Sequence, residues 1–352
     1  MRSARRCTTP ARGTSSTDAS EEVNVATVNT HRRISAVVAF VIGAIVAVQG
    51  RINGELGDIT NDGVLAAVIN FAVGLIGLLL FVFLRPAGRA GLRRLPSAVR
   101  SGTLPWWTLT GGLAGACFVS AQGVTVATLG VALFTIATVA GQTGLSLGVD
   151  HWGLGPSGVM QVSGLRIVAA VLATVAVGVA AWGSGTDSDT GGAVVFLVGL
   201  AVFAGAVVAF QAAFNGRVSV ATGQPTVAGL VNFVVGLTAL LLIFAIQRAV
   251  RGDVFHALPD PTSRPWLYCG GLMGLIFVVG SAWAVRALGV LLLALLVIAG
   301  SLVGAVAVDL VAPTSGGHFS LNVVAGVVMT LVAVALASVR TRAKAAWQDS
   351  GS

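Results

Sequence analysis

Charge is what this sequence has least of. Only 10% of its 352 residues are Asp, Glu, Lys or Arg, and the acidic ones number 13. A soluble globular domain is about a quarter charged, so composition already points away from that class. Histidine and cysteine are as sparse, at four and three. His31, His151, His256 and His318 fall in tails or between apolar blocks, and Cys7, Cys117 and Cys269 show neither metal-ligand spacing nor a disulfide framework. No carboxylate pair, histidine cluster or Ser/His/Asp set shares one depth in the apolar blocks. That argues against a membrane metalloprotease or a prenyl-transferring enzyme, which need carboxylates or histidines to hold a metal or a diphosphate. The reading is therefore not an enzyme, with no cofactor, no metal and no catalytic residue.

What is present is apolar sequence. Hydrophobic residues make up 55% of the chain, and the mean hydropathy is +0.91. The apolar residues come in blocks long enough to cross about 30 Å of hydrocarbon. Ten spans are expected, at roughly 34–52, 64–84, 106–123, 129–149, 160–182, 192–214, 226–246, 266–285, 288–308 and 321–339. Breakers separate them: Arg85-Pro86, Leu104-Pro105, Gly153 to Pro156, Gly183-Ser184-Gly185 and Pro259-Asp260-Pro261. The third and fourth spans, and the eighth and ninth, abut with almost no polar linker. Residues 1–30, rich in Arg, Ser and Thr, lack the short apolar stretch and cleavage site of a signal peptide and read as a disordered tail.

The net charge of +8 does not mark a nucleic-acid protein, because the basic residues are spread over short loops and termini. They orient the chain instead. With the N-terminus in the cytoplasm, sixteen basic residues fall inside, including Arg85, Arg89, Arg93, Arg94 and Arg100 in the 85–100 loop. Only Arg51, Arg248, Arg251 and Arg264 fall outside. The positive-inside rule thus places both termini in the cytoplasm of a multi-pass protein of the cell (inner) membrane.

The chain also repeats itself. Gln49-Gly-Arg-Ile-Asn53-Gly54 with Asn70-Phe71-Ala-Val-Gly74 returns 162 residues later as Gln211-Ala-Ala-Phe-Asn215-Gly216 with Asn232-Phe233-Val-Val-Gly236. At an offset of 159 the echo continues: Trp107/Trp266, Gly111-Gly112/Gly270-Gly271, Gly115/Gly274, Gly130/Gly289, Gly141/Gly300 and Asp150/Asp309. A duplication of this length sets the architecture. The expected units are 31–185 and 190–341, followed by a short cytoplasmic tail at 342–352. Five spans per unit is an odd number, so the second copy enters the membrane upside down. An inverted repeat of this kind is a recurrent design of secondary transporters.

Polar side chains in a span need a partner, another helix or water. The candidates for a substrate path or its gates are Gln49, Asn53, Asn70, Gln122, Gln142, Gln211, Asn215 and Asn232. The same amides could equally cap helices or hold them together, and Asn53-Gly54 and Asn215-Gly216 could each mark a turn. Thr135, Thr138, Gln142 and Ser146 share one helix face, as a wet cavity or a hydroxyl-rich helix contact would require. Asp150 and Asp309 end the fourth and ninth spans; they are candidate coupling groups or interfacial anchors. Arg166 either snorkels to the surface or pairs with Asp150.

The Gln-x-x-x-Asn-Gly and Asn-Phe-x-x-Gly-Leu phrases resemble the YdcZ-type branch of the drug/metabolite transporter superfamily. So do Pro105-Trp-Trp followed by Gly111-Gly112, and the run from Gly141 to Gly153 that includes Gln142 and Asp150-His-Trp. The resemblance spans about 35–340 and is more complete in the first copy, since the second has Ser301 where the first has Gln142. It implies an all-α, inner-membrane exporter of small molecules with ten helices in two inverted five-helix units, and it brings no substrate. The related small multidrug transporters carry a membrane-embedded Glu in their first helix. Here the expected first span has none, and Glu55 follows it.

The reading is a secondary transporter that exports a small neutral or zwitterionic organic metabolite or drug by alternating access. It would act as a monomer or homodimer in the lipid bilayer, without nucleic acid. A passive channel, or a non-transporting membrane subunit, is the alternative.

Overall fold

The computed structural model describes residues 16–182, 188–251, 258–314 and 320–349. Those residues are all helical or connecting. The helices are α1 (Ser16–Thr60), α2 (Gly63–Leu84), α3 (Pro86–Arg100), α4 (Gly111–His151), α5 (Gly164–Ala181), α6 (Ser188–Thr222), α7 (Pro225–Arg251), α8 (Gly270–Val311) and α9 (Leu321–Asp349). Single 3-10 turns, Trp106–Thr110 and Pro265–Tyr268, lead into α4 and α8. Eight helical stretches among the described residues are long and apolar enough to cross a membrane, and Leu321–Ala337 is a shorter apolar helix. Much of their outer surface is apolar, as in Ile76, Leu80 and Leu84 of α2 and Val168, Val171 and Val175 of α5. In water that surface would be costly; against lipid it is the matched solvent.

Several expected boundaries move. The helix of the first span does not stop near 52 but runs to Thr60. Asn53-Gly54 therefore lies inside α1 and forms no turn, and Asn215-Gly216 likewise lies inside α6. The expected 85–100 loop is helix α3. Pro86 sits at its first turn, where a missing N–H costs nothing. Leu95, Ala98 and Val99 of α3 pack towards Leu104, Val218 and Ala228, while Arg89, Arg93, Arg94 and Arg100 are exposed. Of the expected tail, 1–15 lie outside the described residues, and α1 begins at Ser16. The Gly183-Ser184-Gly185 breaker also lies outside them.

The abutting spans have a specific solution. α4 is 41 residues long and α8 is 42, each about twice what a bilayer crossing needs. Each is broken once, at a glycine: Gly130 with φ 78° and ψ 164°, and Gly289 with φ 72° and ψ 167°. That backbone region is essentially closed to residues with a Cβ. Hence the breaks fall at 130 and 289, later than the hydropathy edges suggest, and neither needs a polar loop.

Other glycines, several of them in the duplicated phrases, mark helix crossings so close that a Cβ has no room. A Cβ on Gly43 of α1 would lie 2.1 Å from the Val297 carbonyl oxygen, and one on Gly300 would lie 1.9 Å from that of Phe40. The same contact recurs between α6 and α4: Gly205 on the Thr138 carbonyl and Gly141 on the Val202 carbonyl, both at 1.9 Å. Gly271 of α8 lies against the Asn70 carbonyl of α2, as Gly112 of α4 does against that of Asn232 in α7. Small residues here let backbones touch, the main source of attraction where lipid removes the hydrophobic drive. α1 thus packs on α8, and α6 on α4, so each half of the chain is built into the other. Phe71 and Phe233, with ring centroids 5.0 Å apart, join α2 to α7 at the centre.

Candidate functional site

At that centre lies a cavity of about 420 Å³. Seven of the eight candidate amides line it: Gln49, Asn70 and Gln122, Gln142, and Gln211, Asn215 and Asn232. The eighth, Asn53, stands just behind the wall and is 1% exposed. Residues more than 180 apart in sequence therefore face one space. Thr135 and Thr138 line it as the shared helix face suggested, but Ser146 does not. No charged side chain is among the lining residues. Asp150 and Asp309 are not among its lining residues; Asp309 meets the start of the second arm of α4 and Asp150 lies at the end of that arm.

The amides fall into two clusters. In the first, Asn70 Nδ2 donates to Asn53 Oδ1 at 2.9 Å, and Asn53 Nδ2 donates to Gln122 Oε1 at 2.8 Å. This chain ties α2 to α1 and α1 to the first arm of α4, with all three residues buried. Glycines tighten the same place. A Cβ on Gly57 would lie 2.0 Å from the Gly123 carbonyl oxygen, and one on Gly54 would lie 2.7 Å from Val126. In the second cluster, Gln211 Nε2 donates to Asn232 Oδ1 at 3.1 Å, and Asn215 Nδ2 reaches the same oxygen at 3.5 Å. The position equivalent to Gln122 is Ser281, whose hydroxyl is shut off from solvent and has no partner among the described residues. Gln211 and Asn215 are half-buried.

The two aspartates differ as well. Asp309, near the end of α8, accepts the N–H of Val131 at 2.9 Å and of Ala132 at 2.7 Å. Those N–H groups open the second arm of α4 just after the Gly130 break, so Asp309 caps a helix in the other half of the chain. Arg51 stands nearby, donating to the Ala312 carbonyl at 3.1 Å and pairing with Glu55 at 3.3 Å. Glu55 lies within α1, not after the first helix, and is also 3.9 Å from Arg264. Asp150, by contrast, pairs with Arg166 at 2.5 Å. Of the two readings left open for Arg166, the structure has the pair. Among the described residues nothing lies within 4 Å of a Cβ built on Gly289, and Asp150 is taken up by Arg166 instead.

Sequence reasoning did not find the aromatic part of the wall. Phe71, Phe118, Phe134, Phe233 and Phe277 all line the cavity. Inside uniformly apolar runs a phenylalanine carries no sign of which way it faces; only Phe71 and Phe233 were flagged, through the repeat. Among the described residues no group of three or more His, Cys, Asp or Glu could hold a metal ion.

The family described as "Putative inner membrane exporter, YdcZ" matches this chain twice, over residues 34–179 and 196–336. The two matches together cover most of the sequence and correspond to its two copies. A search of curated proteins finds none that matches. The chain belongs to the YdcZ family of membrane exporters, in a duplicated two-unit form.

Proposed function

Proceeding from that membership, we propose that the protein is a secondary transporter exporting a small neutral or zwitterionic organic metabolite or drug by alternating access. The observation that carries this is the convergence of the amide phrases of both copies on one uncharged chamber. The two arms of α4 and of α8 then count as separate spans, giving ten in two inverted five-helix units. Both termini lie in the cytoplasm, by the bias of basic residues. The Asp309 end then faces outward and the Asp150 end faces the cytoplasm. The eight amides form the path and its two gates. The bonded cluster of Asn53, Asn70 and Gln122 is the closed outer gate, and Gln211, Asn215 and Asn232 are the looser inner one. Proton coupling through Asp150 or Asp309 belongs to the same proposal. It is abandoned if a pH gradient neither drives nor alters transport by the purified protein.

The test compares small molecules in the medium of two cultures. One overproduces the wild type, the other an equally expressed Gln49→Ala/Gln211→Ala variant. A compound enriched only with the wild type supports export through these amides. No difference, with both proteins folded in the membrane, removes the amides from the path.

A further inference from the structure

The polar groups of the chamber can be accounted for one by one. Asn70 and Gln122 are bonded into the first amide cluster, although Asn70 Oδ1 finds no partner among the described residues, and Gln211, Asn215 and Asn232 are bonded into the second. The hydroxyls of Thr135, Thr138 and Ser301 donate to carbonyls of their own helices at 2.7, 3.0 and 2.8 Å. Among the described residues, three lining side chains are left without any hydrogen bond: Gln49, Gln142 and Ser281. Gln49 is 8% exposed and lines the cavity. A buried primary amide with neither its donors nor its acceptor used is costly, so such a group calls for a ligand or water.

The rest of the wall narrows the chemistry. A bare ammonium or carboxylate entering the chamber would lose its hydration and meet no counter-charge, a penalty of several kcal/mol per ion. A zwitterion would incur it twice. Five phenylalanines instead offer flat apolar contact, where aromatic faces gain beyond their buried area. The volume of about 420 Å³ lies within the range that holds one small organic molecule.

We propose that Gln49 and Gln142 are the specificity-determining pair of this chamber, and that its solute is uncharged, with a flat aromatic body and a group that both donates and accepts hydrogen bonds. This rests on the transporter reading and narrows it, since zwitterions are excluded. The repeat explains why the pair is lopsided. The partner of Gln49 is Gln211, already bonded to Asn232, and the partner of Gln142 is Ser301, bonded to its own helix.

Three probes of one skeleton and three charges test it: tritiated indole-3-acetamide, indole-3-acetate and tryptamine, in equilibrium binding to the purified full chain. The amide is expected to bind at least about tenfold more tightly than either ion. Gln49→Ala and Gln142→Ala should each weaken it about five- to tenfold, in line with one lost hydrogen-bonding group. Gln142→Glu should reverse the order in favour of tryptamine, an outcome that a merely structural role for this residue would not produce. Equal or tighter binding of an ion, no binding of the amide, or alanine variants that bind as the wild type does would each overturn the proposal. Counterflow in vesicles separates the two levels. Binding of the amide without counterflow sinks the transporter reading and leaves the chamber chemistry standing. Counterflow of an ion alone does the reverse.

Discussion

The Asp309 end and the Asp150 end of the bundle start from echoing sequence and reach different structures. At the first, an aspartate caps a broken helix of the other half, three amides are bonded in series, and glycine meets glycine between α1 and α4. At the second, the equivalent aspartate is held by Arg166, the equivalent of Gln122 is Ser281, and Ser219 and Ala282 stand where Gly57 and Gly123 would be. α9 opens with Leu321-Asn322-Val323 and offers Asp309 no arginine of the kind α5 offers Asp150. Asp150 is held by a guanidinium, whereas beside Asp309 the nearby Arg51 is engaged by the Ala312 carbonyl and Glu55, and the carboxylate takes the bare helix N–H groups instead. Four differences thus separate the tight end from the loose one: Gln122 against Ser281, Gly57 against Ser219, Gly123 against Ala282, and the arginine that α9 lacks.

The contrast is most severely broken by filling the glycine contact. Gly123→Val should force α1 and α2 away from α4, costing about 3 kcal/mol or more by overpacking, whereas Ala282→Val should change stability by less than about 1 kcal/mol. Unfolding midpoints in detergent decide this, and equal shifts would mean the ends are not different in packing.

Next come the breaks. Gly130→Ala and Gly289→Ala both place a Cβ in a region that costs about 1–3 kcal/mol. The first also brings that carbon to 3.1 Å from Asp309 Oδ2, so its midpoint should fall further. A larger loss at Gly289 would reverse the assignment of the capped end.

A smaller effect is expected of Asp309→Ala, which leaves two helix N–H groups without an acceptor, about 2 kcal/mol. A cysteine placed at Val46, on the chamber wall and outside the amide clusters, should react faster with a membrane-impermeant thiol reagent in that background than in the parent. An unchanged rate would show that the cap does not hold this end shut.

Least is expected of Arg166→Ala. Its pair with Asp150 is one-fifth to one-quarter exposed, and such pairs contribute roughly 0–1 kcal/mol. A loss as large as that of Asp309→Ala would erase the difference between the two aspartates.

The duplication and the membrane class were legible, and the amides stood out as candidates, because each leaves a local mark: a repeated phrase, an apolar block, or a polar residue where polarity is expensive. The pairing of Arg166 with Asp150 was readable as one of two options. The breaks at Gly130 and Gly289 were not. A helix that turns on one glycine and resumes shows no drop in hydropathy, and the cap that stabilises the first break comes from residue 309, 178 positions away. α3 was hidden for the opposite reason. Its arginines dominate the composition, while its apolar side, Leu95, Ala98 and Val99, gains meaning only once Val218 and Ala228 lie beneath it. Asn53-Gly54 misleads because the pair favours turns only where no neighbouring helix accepts the asparagine; Asn70 and Gln122 both engage it here.

The glycine rows carry an implication for ancestry. Gly43 and Gly300, like Gly205 and Gly141, find their partner backbones only across the two copies. A half-length chain of this design could satisfy those surfaces only against a second molecule of itself. Joining two such chains end to end would fix their stoichiometry and free each copy to diverge. Gln122 could then become Ser281, and Gln142 Ser301, without the change being imposed on both ends at once.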